Sequence, residues 1–120
     1  TVLDVIHNGK DVAIVDSSIE AHMLDLLIYR ETAKLPQDGD HAYQIAGKTC
    51  LAGDIFGEGR FPQPLQVGDR ISIADAAGYT MVKKNWFNGV AMPAIAIREE
   101  NGTIREVRRF SYDDYKSSLS

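Results

Sequence analysis

Apolar residues in this chain come in short runs broken often by Gly, Asn and Pro. Val2 to Ile6 and Val12 to Asp16 are two such runs around His7-Asn8-Gly9-Lys10-Asp11. Asn-Gly between apolar runs predicts a hairpin, because both residues tolerate positive φ. The same logic recurs near the end, where Ala94 to Glu99, Asn101-Gly102 and Thr103 to Arg109 predict a second hairpin. The second arm alternates only loosely, as an edge strand with one wet face does. Between the hairpins, Tyr43 to Ile45, Lys48 to Leu51, Ile55-Phe56, Arg70 to Ala74 and Thr80 to Phe87 read as further strands. Val67-Gly68-Asp69 and Asn88-Gly89 mark turns among them.

Helix signals are few. Ser17-x-x-Glu20 has the spacing of a capping box, and Ile19, Met23, Leu26 and Leu27 recur at helical intervals. Together they predict a short helix over residues 18–27. Ser111 is placed to cap a last helical turn in residues 112–116. Residues 31–41 are polar without a period and read as an exposed loop. The pattern as a whole predicts one mainly β domain over residues 1–120, a barrel or sandwich of six to eight short strands with one or two short helices.

Composition narrows the function classes. The 120 residues are 44% hydrophobic and 25% charged, with a net charge of −4. That balance suits a single soluble core and offers no electrostatic footprint for nucleic acid or anionic membrane. No apolar run approaches the ~20 residues of a membrane span. The single cysteine, Cys50, excludes an internal disulfide and fits a reducing, cytoplasmic setting.

Several polar groups are candidates for chemistry. Cys50 lies in Gly47-Lys48-Thr49-Cys50-Leu51-Ala52-Gly53-Asp54. A thiol flanked by Lys48 and a nearby carboxylate suits a proton donor or nucleophile, and it equally suits a small buried apolar group. His22 and Asp25 stand three apart; on one helical turn they would share a face, as a substrate-binding pair or as a solvated one. Asp54 and Glu58 stand four apart among Gly53, Gly57 and Gly59, which predicts a tight, irregular loop with carboxylates for a cationic ligand or for solvent. Tyr79 follows the Gly78 turn, where its hydroxyl suits a phosphate or another polar ligand, or the edge of the core. No phosphate-binding glycine fingerprint occurs, and one cysteine with histidines 7, 22 and 41 far apart gives no metal site.

Taken in order, Gly47 to Asp54, Val67-Gly68-Asp69, Asp75-Ala76-Ala77-Gly78-Tyr79-Thr80 and Phe87-Asn88-Gly89 are more specific than any one of them. They resemble the C-terminal β-domain of the fold-type III, pyridoxal-phosphate-dependent basic amino acid decarboxylases, which include ornithine, diaminopimelate and carboxynorspermidine decarboxylases. Thr1-Val2-Leu3-Asp4-Val5, Ala21-His22-Met23-Leu24-Asp25 and Cys50-Leu51-Ala52-Gly53-Asp54 are most similar to the branch acting on carboxynorspermidine or carboxyspermidine. Diaminopimelate enzymes usually carry Glu after the Cys and ornithine enzymes Asp, where this chain has Leu51. One departure is Leu24, since that branch usually reads His-Met-Pro-Asp.

The resemblance implies a (β/α)₈ barrel upstream that carries pyridoxal 5′-phosphate on a lysine, and a head-to-tail homodimer with shared active sites. None of Lys10, Lys34, Lys48, Lys83, Lys84 or Lys116 matches that lysine's context, so this portion alone is expected to be inactive. By the same resemblance, Cys50 is the acid that reprotonates the substrate carbon after carbon dioxide leaves. Tyr79 contacts the cofactor phosphate, Asp25 with His22 binds substrate, and Asp54 and Glu58 meet the amino groups of a polyamine chain. The implied reaction releases norspermidine or spermidine in polyamine biosynthesis. The rival readings are another decarboxylase of this fold, for diaminopimelate, ornithine, lysine or arginine, and a non-catalytic β binding module.

Overall fold

The computed structural model describes all 120 residues. The first Asn-Gly hairpin forms: β1 (Val2–His7) runs antiparallel to β2 (Asp11–Val15), with Val5 opposite Ala13. The chain then crosses over through α1 (Ile19–His22) and α2 (Leu24–Tyr29) to β3 (His41–Ala46), which lies parallel to β2 with Val12 opposite Gln44. β4 (Ile55–Phe61) returns antiparallel to β3, with Tyr43 opposite Gly59. The sheet order is β1-β2-β3-β4, an open sheet rather than a closed barrel.

Burial along β3 alternates, as it must where one face meets the core and the other is wetter. Ile45 of β3 and Phe56 of β4 are fully buried and pack with Val2, Ala13, Val15, Ile19 and Tyr43. At ~1.5–3 kcal/mol for each large apolar side chain removed from water, they are major contributors to the core. The segment read as an exposed loop contributes too. Ala33 and Leu35 are buried, the Ala33 N–H donates to the Phe56 carbonyl at 2.7 Å, and Gln37 bridges to Arg60. Residues 33–37 thus cover part of the β4 edge, which its alternation-free sequence concealed.

The helix expected over residues 18–27 is split. Met23 has φ −137° and ψ 46°, which ends α1 and starts α2 in a new direction. The cap is Ser18, whose hydroxyl accepts from the Ala21 N–H at 3.3 Å, and not Ser17. The candidate strand Thr80–Phe87 is a helix instead, α3 (Ala77–Lys83), followed by a 3-10 turn at Phe87–Gly89. The Thr80 hydroxyl donates to the His22 carbonyl at 2.7 Å, so docking against α1 overrides β propensity there. Lys48–Leu51 bends without forming a strand, and of Arg70–Ala74 only Ala74 pairs, bridging to Lys34.

The second Asn-Gly hairpin forms as a separate ribbon, β5 (Ile95–Arg98) with β6 (Ile104–Arg108). The last turn is α4 (Tyr112–Ser117), and Ser111 is its N-cap. Ser111 and Asp114 make a reciprocal capping box, and the Ser111 N–H holds the Asp114 carboxyl below its usual range.

Candidate functional site

The site is built around the loop of residues 47–54 between β3 and β4. Asp54 anchors it. Its Oδ1 accepts from the Ile19 N–H at 2.7 Å, and its Oδ2 accepts from the Thr49 N–H at 3.1 Å and the Thr49 hydroxyl at 2.5 Å. The residue is only 5% exposed. Its first contact satisfies an orphan N–H of α1 with a negative charge, as a helix start favours. Gly47 is required beside it, because a Cβ there would lie 2.3 Å from Asp54 Oδ2. This carboxylate already serves the chain's own donors, which leaves little of it for the substrate amine expected to meet it.

Held in this way, the loop presents Cys50 to solvent. The reading of Cys50 as a buried apolar group is therefore overturned. Its backbone N–H donates to Asn88 Oδ1 at 3.2 Å, and its Sγ–H donates to the same oxygen at 3.3 Å. Asn88 lies in the left-handed region, with φ 54° and ψ 18°. In the sequence Asn88 reads only as a turn residue, and no spacing links positions 38 residues apart.

His22 ends α1 and is 6% exposed. Its Nε2–H donates to the Ala91 carbonyl at 3.0 Å, which leaves Nδ1 to accept from the Ser17 hydroxyl at 2.7 Å. Burial pushes its pKa down and Lys48 adds to that, against the pull of the Ala91 carbonyl, Asp16 and Asp54. A neutral imidazole with both nitrogens engaged is a packing and orienting group. The kink at Met23 separates it from Asp25, which lies in the first turn of α2. The shared helical face expected for His22 and Asp25 therefore does not form.

The expected loop around Glu58 is strand β4. Its irregularity survives as a register shift opposite Ile45/Ala46 and as φ +137° at Gly57, a conformation that side chains rarely adopt. Glu58 points away from the core on this strand, so its carboxylate is exposed and rigidly carried.

Tyr79 lies in the first half of α3 and is 58% exposed. It lines an apolar depression with Ile73, Ala76, Ala77 and Val82. The Lys83 ammonium lies 4.7 Å from its ring centre and 6.0 Å from that of Tyr29. The phosphate of the cofactor implied by the resemblance needs hydrogen-bond donors and positive charge. An exposed phenol beside an ammonium is such a donor set, so these residues fit that group. Asp75, in the same depression, pairs with Lys34, which neutralises its charge.

Three connections tie these parts together. Thr80 joins α3 to the His22 carbonyl. The Asn85 N–H donates to the Ala21 carbonyl at 2.9 Å, and Asn88 joins the Cys50 loop. Cys50, Asp54, His22 and the helix bearing Tyr79 are thus parts of one network around α1. Asp25 and Glu58 lie outside it.

Comparison with known proteins adds a family description, pyridoxal-dependent decarboxylase, C-terminal sheet domain, matched by residues 1–77. The carboxynorspermidine/carboxyspermidine decarboxylase of Herminiimonas arsenicoxydans is 74% identical over the whole chain, which covers 33% of that protein. The carboxyaminopropylagmatine decarboxylase of Synechocystis is 45% identical over 99% of the chain and 32% of its own length. The carboxynorspermidine decarboxylase of Campylobacter jejuni, solved as a complex with norspermidine, superposes with a TM-score of 0.89 at 35% identity. That match covers 98% of this chain and 36% of the solved one. The chain spans about a third of the length of the curated relatives it matches.

Proposed function

Because the chain belongs to the pyridoxal-dependent decarboxylases, as their C-terminal sheet domain, we propose that the complete protein removes the carboxyl group of carboxynorspermidine or carboxyspermidine. The observation that carries the chemistry is Cys50, an exposed thiol on a loop pinned at both ends of its turn. The 74% identity to a decarboxylase named for these two substrates supports the substrate class. Loss of carbon dioxide leaves an electron pair on carbon, and a proton must replace the carboxyl group there. Pyridoxal phosphate, when bound, supplies the electron sink for that pair.

The residues of this chain do the rest. Cys50 Sγ holds the proton and delivers it to the carbon; water then returns a proton to sulfur. The Tyr79 hydroxyl would donate to the cofactor phosphate, and the Lys83 ammonium, held near the Tyr79 ring, would add positive charge there. Asp25 and Glu58 supply negative charge to the ammonium groups of the substrate. Asp54 and His22 hold the loop and α1 in place. Cys50 serves the site of a second copy in a homodimer, and the cofactor lysine lies upstream in a (β/α)₈ barrel.

The test is the complete enzyme with added pyridoxal phosphate, offered carboxynorspermidine, carboxyspermidine, carboxyaminopropylagmatine, diaminopimelate and ornithine side by side. Preference for the first two is expected. The 45% identity to the Synechocystis enzyme makes carboxyaminopropylagmatine the second reading. Preference for diaminopimelate or ornithine overturns the substrate class and leaves the fold untouched. Cys50→Ala in the same enzyme is expected to cut turnover and divert product toward decarboxylation-dependent transamination. Wild-type partition in that variant removes Cys50 as the acid.

A further inference from the structure

Two segments distant in sequence meet at a single oxygen. Asn88 Oδ1 accepts from the Cys50 backbone N–H at 3.2 Å and from its Sγ–H at 3.3 Å. We propose that Asn88 is a positioning residue for the proton transfer, holding the Cys50 loop through the N–H bond and parking the thiol proton through the S–H bond. This inference rests on the reading of Cys50 as the acid.

The two bonds differ in strength, and the difference suits the task. An amide N–H is a strong donor and a thiol a weak one. The N–H bond keeps the loop in place throughout. The S–H bond exists only while sulfur carries its proton, and it breaks at little cost when a basic carbon competes for that proton.

Position 88 has two requirements at once. Its backbone is left-handed, with φ 54° and ψ 18°, and its side chain must return an oxygen to the neighbouring loop. Asn and Asp meet both; Gly meets only the first, and most other residues meet neither.

The turn that carries Asn88 is clamped on two sides. Upstream, the Asn85 N–H donates to the Ala21 carbonyl at 2.9 Å, and Asn85 Oδ1 accepts from the Phe87 N–H at 2.8 Å. On the other side, the Trp86 and Tyr115 rings pack with centroids 5.4 Å apart, which fixes the turn to α4. Such support is unnecessary for an ordinary surface turn. It is what an oxygen needs if it is to stay within hydrogen-bond range of a reacting group.

The experiment compares Asn88→Gly, Asn88→Asp and Cys50→Ala in the complete enzyme. Asn88→Gly keeps the left-handed turn and removes the acceptor, whereas Asn88→Asp keeps both. Two quantities are read. One is the partition between decarboxylation and decarboxylation-dependent transamination. The other is the S–H stretching band of Cys50, isolated as the infrared difference against Cys50→Ala and recorded without substrate.

Asn88→Gly removes both bonds and is expected to shift the partition toward transamination by about tenfold, the net effect of losing their shared acceptor. The S–H band should move toward that of a free thiol, and Asn88→Asp should restore both. An unchanged partition and band in Asn88→Gly overturn the proposal, while a diverted product in Cys50→Ala still upholds the acid assignment. A shifted partition with an unmoved band overturns the parking of the thiol proton, because holding the loop through the N–H bond would then carry the whole effect. Normal product from Cys50→Ala brings down both readings together.

Discussion

Asp54→Ala tests whether this carboxylate holds the loop or meets the substrate. The substitution removes acceptors from the Ile19 N–H and from both donors of Thr49. Ile19 is 3% exposed, so water cannot replace the lost partner without opening α1. Hydrogen bonds to a charged group contribute ~1.5–3 kcal/mol each, and a buried donor left unpaired costs ~1–3 kcal/mol. Thr49 is nearer solvent and recovers part of its loss, which leaves a net local cost of about 3 kcal/mol. At ~1.4 kcal/mol per factor of ten, protection should fall by about two orders of magnitude. Amide hydrogen exchange of the complete protein, followed by mass spectrometry, reads this in peptides spanning residues 15–24 and 47–54. Asp54→Asn keeps the shape and one acceptor, so its loss should be smaller. Unchanged exchange in both variants, with a raised KM for a polyamine substrate, would refute the anchoring argument and return Asp54 to the substrate.

Two further outcomes follow from burial and charge. Burial holds the pKa of His22 below its ordinary 6.5, so its stabilising contribution is fully present above about 6.5 and is lost as pH falls through the lower folded value. The stability gap between the native protein and His22→Gln, measured by denaturant midpoint, should be constant above neutrality and narrow in acid; a gap that widens in acid contradicts the neutral imidazole. Phe56→Ala removes a fully buried ring at a typical cost of ~3–5 kcal/mol, and exchange in β3 and β4 should rise by about a hundredfold or more. A change below tenfold would mean that Phe56 is not central to the core.

What could be read from the sequence was local. Both Asn-Gly hairpins and the Ser111 cap rest on residues a few positions apart, and all three form as expected. The parallel pairing of β2 with β3 joins segments separated by a crossover, and no periodicity announces it. Thr80 to Phe87 has β-prone residues, yet docking against the His22 carbonyl makes its first half helical. The site divides in the same way. Cys50, Asp54 and Tyr79 stood out through motif order, which a resemblance can use. The inward turn of Asp54 depends on Ile19, 35 positions away, and the partnership of Cys50 with Asn88 spans 38. Such contacts belong to tertiary packing, where spacing carries no signal. Met23 broke the expected helix for a related reason: its backbone departs from helical values although its side chain keeps the apolar period and is buried.

The parallel register of β2 with β3 also sets an order in time. Hairpins such as β1-β2 close in ~1–10 μs because their partners are neighbours in the chain. Pairing β2 with β3 requires residues 16–40 to be gathered first, and that entropy must be met before any strand contact returns it. Asp54 can reach the Ile19 N–H only once this crossover has settled against the sheet. The loop bearing the thiol is therefore expected to settle after the β1-β2 hairpin. Settling of the crossover, by letting Asp54 reach Ile19, is what aims the exposed Cys50 side chain in the folded protein.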